Sequence, residues 1–176
     1  ESDFQLIPSS RNGEISSAVL GKDPSGSQLL VVGGKGARLW ASDDQTQASF
    51  DRLTKSFRPA SSIASLDFSI DPQSDTSNRL VVGDAEGNLR VWQLDGRQWS
   101  ERSQAAEHLA GQHDAPIVST FFHPHDPDQL ISADQDGNWI IWRYDLAQNR
   151  WTLKQENRSP RSGIESHFAM FSPDGT

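Results

Sequence analysis

The chain contains no cysteine. That absence excludes disulfide-stapled scaffolds, thiolate zinc sites and cysteine-nucleophile enzymes. Long apolar runs are missing too. The longest purely apolar stretches are Leu29 to Val32 and Trp139 to Trp142, far short of the ~18 residues a membrane helix requires. Positive charge is scarce: 16 Lys+Arg stand against 24 Asp+Glu, a formal net charge of −8, and no long block of like charge occurs. Such a balance repels nucleic-acid phosphate and anionic lipid, so neither nucleic acid nor membrane is an expected partner. The sequence opens with neither Met nor a basic-then-apolar leader, and a targeting segment is expected to be absent or already removed. Compartment stays open, because a cysteine-free chain suits reducing and oxidising surroundings alike; a soluble, cytoplasmic chain is the working expectation.

What is present must build a core economically. The 176 residues suffice for roughly one to two domains, and the hydrophobic share of 34% is below the usual globular value. Six Trp and eight Phe supply large apolar area in compensation.

Internal repetition organises these residues. Three segments align on a Gly-containing turn followed by an apolar strand ending in Trp: Gly33 to Trp40, Gly83 to Trp92 and Asp134 to Trp142. The tryptophans lie 52 and then 50 positions apart. Before each turn comes a short β-branched run, Leu29-Leu30-Val31-Val32, Leu80-Val81-Val82 and Leu130-Ile131, the composition of a strand buried on both faces. This is strand b. Upstream of each lies strand a, Ile15 to Leu20, Ile63 to Phe68 and Ile117 to Phe122. The a–b connections Asp23-Pro24-Ser25-Gly26, Asp71-Pro72-Gln73-Ser74 and His123-Pro124-His125-Asp126 are turn formers, with Pro presetting φ and Asp or Ser bonding the local backbone. The Trp-terminated strand is c, and polar turns such as Ala147 to Arg150 and Asp95 to Gln98 lead to a more polar strand d, for example Trp151 to Gln155. The only helix candidate, Ser103 to Ala110, is too short to alter an all-β assignment.

The order a, b, c, d with a Trp closing c resembles the WD-repeat (WD40) β-propeller family. The resemblance covers residues 15 to 155, and the period is slightly longer than the ~40–45 residues typical of such repeats, with the excess in Asp71 to Asn78 and Gln98 to Gln112. It implies an all-β, WD40-type propeller of about three four-stranded blades plus partial blades at both ends, within a larger ring of about seven. The expected divisions are an outer strand of a preceding blade and loop at 1–14, blades at 15–57, 58–112 and 113–157, and the start of a further blade at 158–176. The preceding strand is read from the alternation at Phe4 and Leu6, and the following blade from His167 to Ser172 and the turn Ser172-Pro173-Asp174-Gly175. The chain is therefore expected to be part of a longer one that supplies the remaining blades.

WD repeats place a His before strand a, a Ser in b, an Asp in the b–c turn and a Trp at the end of c, joined by hydrogen bonds. The resemblance carries these roles in the third unit to His113, Ser132, Asp136 and Trp142, a structural network. In the second unit Glu86 is taken to stand for the Asp and Val82 for the Ser, and no His precedes Ile63; in the first, no acidic residue lies between Gly33 and Trp40.

Other motifs reduce to turns. His123-Pro124-His125-Asp126 has metal-ligand types, but the period alone accounts for it as an a–b turn. Asp134 to Asn138 lacks the Gly at the sixth and the Glu at the twelfth position of a calcium loop. Gly33-Gly34-Lys35-Gly36 lacks the spacer and hydroxyl of a phosphate cradle. Asn157-Arg158-Ser159 matches a glycosylation acceptor by type only. Ser132 with His113 and an Asp would make a nucleophilic triad, yet the structural network explains the same residues and the Trp besides. Trp40, Trp92 and Trp142 read as core, and Trp99 and Trp151 as flanking strand d. No metal, cofactor or catalytic residue is assigned.

WD-repeat rings mostly act as platforms for protein assembly, so the expected function is a non-catalytic interaction scaffold or regulatory binding platform. The d–a and b–c loops share one face there, and its contact set is expected to include Lys35, Arg58, Asp84, Glu86, Asp114 and Asp134. This mainly acidic mixture fits a protein or peptide partner of basic or mixed charge. The alternative is a propeller enzyme or small-ligand sensor with its site in the central channel. Against it, the a strands offer Ser16, Ser17, Ala64, Ser65, Val118 and Ser119, interrupted by one charge, Asp67.

Overall fold

The computed structural model describes residues 15–35, 37–42, 52–57, 61–95, 98–101, 109, 112–158 and 168–175. Among these, all regular structure is strand. Sheet 1 contains β1 (Ser17–Lys22), β2 (Gln28–Gly33), β3 (Ala37–Ser42) and β4 (Arg52–Phe57). Sheet 2 contains β5 (Ile63–Phe68), β6 (Arg79–Asp84), β7 (Leu89–Asp95) and β8 (Gln98–Glu101). Sheet 3 contains β9 (Ile117–His123), β10 (Asp126–Asp134), β11 (Trp139–Asp145) and β12 (Arg150–Asn157). Each is an antiparallel meander with strands in chain order. Phe4, Leu6, Arg58, His167 and, apart from Leu109, the helix candidate Ser103 to Ala110 lie outside the described residues, as do the side chains of Trp40 and Trp99.

Period-two alternation explains how a thin apolar supply fills two cores. Every residue of β6 is buried. Leu80 and Val82 join Leu29, Val31, Leu39, Ile63, Phe68 and Trp92 in a core between sheets 1 and 2. Val81, pointing the opposite way, joins Val91, Ile117, Phe122, Ile140, Trp142 and Trp151 between sheets 2 and 3. The continuous apolar run is thus the signature of a strand sandwiched between neighbouring sheets. Each fully buried Leu, Val or Phe contributes about 1.5–3 kcal/mol of transfer free energy.

Small residues set how closely the sheets approach. A Cβ on Gly33 would lie 2.7 Å from Ile63 Cγ2, and one on Gly83 would lie 2.4 Å from Ile117 Cγ2. The first residue of each inner strand therefore seats on the end of the preceding strand b. One backbone bond repeats the step, Ile63 N–H to Gly34 O at 2.7 Å, while Ala85 N–H to Ser62 O at 2.9 Å and Gln135 N–H to Pro116 O at 2.9 Å act within sheets 2 and 3. These bonds hold the loop entering each inner strand against a b–c turn. The segment 168–171 forms no ladder and lies against β9. Ala169 N–H donates to Ser119 Oγ at 2.9 Å, Phe168 packs edge-on against Phe121, and the turn closes by Gly175 N–H to Ser172 O at 2.8 Å.

Candidate functional site

The b–c turns of sheets 2 and 3 share one construction. In each, an Asp ends strand b, two residues follow, and then a Gly in the left-handed region precedes an Asn: Gly87 has φ 81° and Gly137 φ 85°. This is a type I turn closed by a bulge, which calls for Gly at that place. The Asp carboxylate organises it. Asp84 Oδ1 accepts the N–H groups of Glu86 at 2.9 Å and Asn88 at 3.0 Å. Asp134 Oδ1 accepts those of Asp136 at 3.1 Å and Asn138 at 2.9 Å.

In sheet 3 the carboxylate reaches further. His113 Nδ1–H donates to Asp134 Oδ2 at 2.8 Å, which leaves Nε2 to accept the Ser132 hydroxyl at 2.8 Å, and the indole N–H of Trp142 donates to Ser132 Oγ at 2.9 Å. Burial holds the His113 pKa below its ordinary value, although the bond to Asp134 opposes the shift. A neutral ring, protonated on Nδ1 and accepting on Nε2, is the tautomer this chain of donors requires. His113 is itself held from below: a Cβ on Gly87 would lie 2.5 Å from its carbonyl oxygen.

The structure thus brings His113, Ser132 and Trp142 together, but the carboxylate is Asp134 and not Asp136. Asp136 contributes only its backbone N–H, and its side chain stands exposed at the turn tip. Only the residue ending strand b points its carboxylate inward, toward the N–H groups two and four positions on. The same correction applies in sheet 2, where the turn-holding acid is Asp84 and Glu86 is the exposed tip. It also removes two residues from the expected contact set. Asp84 is 1% exposed and Asp134 0%, so neither can touch a partner. Aligning both turns on their Gly-Asn pair, Gly87-Asn88 with Gly137-Asn138, identifies the inward acids from sequence. Ser132 is fully buried with its hydroxyl committed, so no substrate reaches it as it stands.

Of the expected contact set Lys35, Glu86 and Asp114 are exposed, as is Asp136. Asp114 ion-pairs with Arg158 at 3.7 Å, and Arg158 also meets Glu156 at 3.2 Å. Such exposed pairs contribute little stability and leave the carboxylate open to exchange partners. Arg58 lies outside the described residues. At the opposite end, His123 and His125 point their Nε2 atoms at Gly175 O at 3.0 Å and Pro173 O at 2.9 Å, and the His125 N–H donates to His123 Nδ1 at 3.1 Å. Asp126 is engaged by Arg143 at 2.8 Å and Gln129 at 2.7 Å. These groups brace the β9–β10 hairpin against the turn at Ser172–Gly175.

Comparison with known proteins agrees with this geometry at the level of fold. The chain aligns with the crystal structure of Saccharomyces cerevisiae Sqt1 at a TM-score of 0.60, over 83% of this chain and 37% of that one, with 19% sequence identity. The fold is that of a WD40-type β-propeller segment. A 64-residue stretch, 36% of the chain, is 34% identical to the protein transport protein SEC31 of Yarrowia lipolytica, and corresponds to 5% of that protein's length. The chain therefore spans well under half the length of either of these two proteins. No protein-family model matches it. No helix among the described residues is long and apolar enough to cross a membrane.

Proposed function

We propose that this propeller segment is a non-catalytic docking surface for a protein partner, with Lys35, Glu86, Asp114 and Asp136 as its contact set. One observation carries the reading. The buried carboxylates of Asp84 and Asp134 fix two turns of matching geometry, and each presents an exposed acid, Glu86 or Asp136, on neighbouring blades. Two fixed anionic tips complement Lys or Arg side chains on a peptide of basic or mixed charge, and pre-organised loops reduce the ordering cost of binding. A site in the central channel has less support. The inner strands present mainly small side chains, and their one carboxylate, Asp67, is engaged by the Phe122 N–H.

The test is a peptide array of basic, mixed and acidic sequences bound by the full chain and by the E86K/D136K variant. Retention of basic peptides that falls with salt and is lost in the variant is the expected result. Equal retention by both proteins would overturn the assignment of this face.

A further inference from the structure

Two alternate N–H groups of β9 donate out of their own sheet, across the seam, to two alternate side chains of β5. Thr120 N–H donates to Ser65 Oγ at 2.9 Å, and Phe122 N–H donates to Asp67 Oδ2 at 2.7 Å. The register of each inner strand on its strand b shows how unusual the second contact is. Asp67 pairs with Val81, as Val19 pairs with Val31 in sheet 1 and Phe121 with Ile131 in sheet 3. Val19 packs on the first core and Phe121 on Phe168. Where its counterparts are apolar, sheet 2 carries a half-buried ionisable group, beside the bonded hydroxyls of Ser65 and Thr120.

We propose that Asp67 is a protonation-dependent clasp between sheets 2 and 3, holding the inner edge of β9 most firmly as a neutral acid and loosening it on ionisation. A neutral carboxyl still accepts the Phe122 N–H through its carbonyl oxygen and carries no charge into the seam. An ionised one gains a stronger bond but loses far more hydration. The ionisable residues on the strands packed against β5 are Lys22 on β1, Arg79 and Asp84 on β6 and His123 on β9. Arg79 is committed to Asp128 at 2.6 Å, Asp84 to its own turn and His123 to Gly175 O. Among the described residues no ion pair reaches Asp67. Partial burial accordingly pushes its pKa up to about 7, against the lowering effect of the Phe122 and Phe68 N–H groups.

The sign of the pH effect follows. An open seam exposes an Asp of ordinary pKa near 4, so between about pH 4 and 7 the open state binds fewer protons than the closed one. The closed state is favoured most at the acid end, by up to about tenfold per pH unit, and the effect levels off above about 7. The experiment is amide hydrogen exchange on the full chain, corrected for intrinsic rates, together with a carboxyl titration by 13C NMR. Protection at Phe122 and Thr120 is expected to fall as pH rises to 7 and then flatten, to lose that pH dependence in D67N, and to accompany an Asp67 carboxyl titrating near neutrality. A carboxyl titrating near pH 4, or the same pH dependence in D67N, would overturn the proposal. The titration needs no variant, so a poorly folding D67N leaves the result decisive.

Discussion

The turn after Asp84 and the turn after Asp134 make the same backbone bonds. Asp84 N–H meets Asn88 O and Asp134 N–H meets Asn138 O at 3.0 Å in each, and Gly87 and Gly137 N–H groups return to the respective Asp carbonyls. Below the turns the two sheets differ. Val82 in sheet 2 lies in an apolar core with Trp92, whereas its counterpart Ser132 bridges His113 and Trp142. The same turn can thus rest on dispersion and apolar burial or on a chain of directed bonds. The apolar version tolerates neighbours of similar volume. The polar version ties three elements together, namely the loop before β9, β10 and β11, and fails if one member is removed.

Asp134→Ala is expected to break this comparison most severely. It orphans the Nδ1–H of a buried His along with the turn N–H groups, at a cost of about 3 kcal/mol or more. Asp84→Ala loses only the turn, about 0.5–2 kcal/mol by analogy with helix N-caps. Urea denaturation of both variants measures the gap. Equal costs would mean that the His113 bond contributes nothing beyond the turn.

Ser132→Val converts the foundation of sheet 3 into that of sheet 2. The gain of a methyl in an apolar core is set against a Trp142 N–H and a His113 Nε2 left without partners, so a net loss of about 1–3 kcal/mol is expected in the same assay. A neutral outcome would place the apolar and polar foundations on equal footing and leave the hydroxyl without energetic purpose.

These particulars show what was legible in the residue order. The Trp spacing and the β-branched runs before each Gly turn locate the sheets, because burial on both faces leaves a compositional mark that no loop imitates. His113, Ser132 and Trp142 could be matched by position. Which carboxylate joins them is less direct, because Asp134 and Asp136 are alike in type and two positions apart; in the residue order only the alignment of the two Gly-Asn turns, with Asp recurring at 84 and 134 and Glu86 matching Asp136, separates them. The Asp67 contact was less legible still. Its partner Phe122 is 55 positions away and contributes a backbone N–H, a group every residue but proline carries.

The smallest effect expected is a titration that sheet 3 has and the turn of sheet 2 lacks. The folded pKa of His113 is lowered, chiefly by burial, while the unfolded chain has a His of ordinary pKa near 6.5. As pH falls below about 6.5 the unfolded state takes up the proton first, so stability is lost on the acid side until the folded value is passed, and is fully present above 6.5. This slope opposes that of Asp67, and the two are separated by comparing variants with the parent at each pH. His113→Gln keeps an N–H for Asp134 and an oxygen for Ser132 but cannot titrate. Its deficit relative to the parent is expected to be about 1 kcal/mol at pH 8 and to shrink toward pH 5, read from denaturation midpoints. A deficit that stayed constant with pH would mean that His113 does not titrate differently in the folded and unfolded chains, and that burial has not kept its ring neutral.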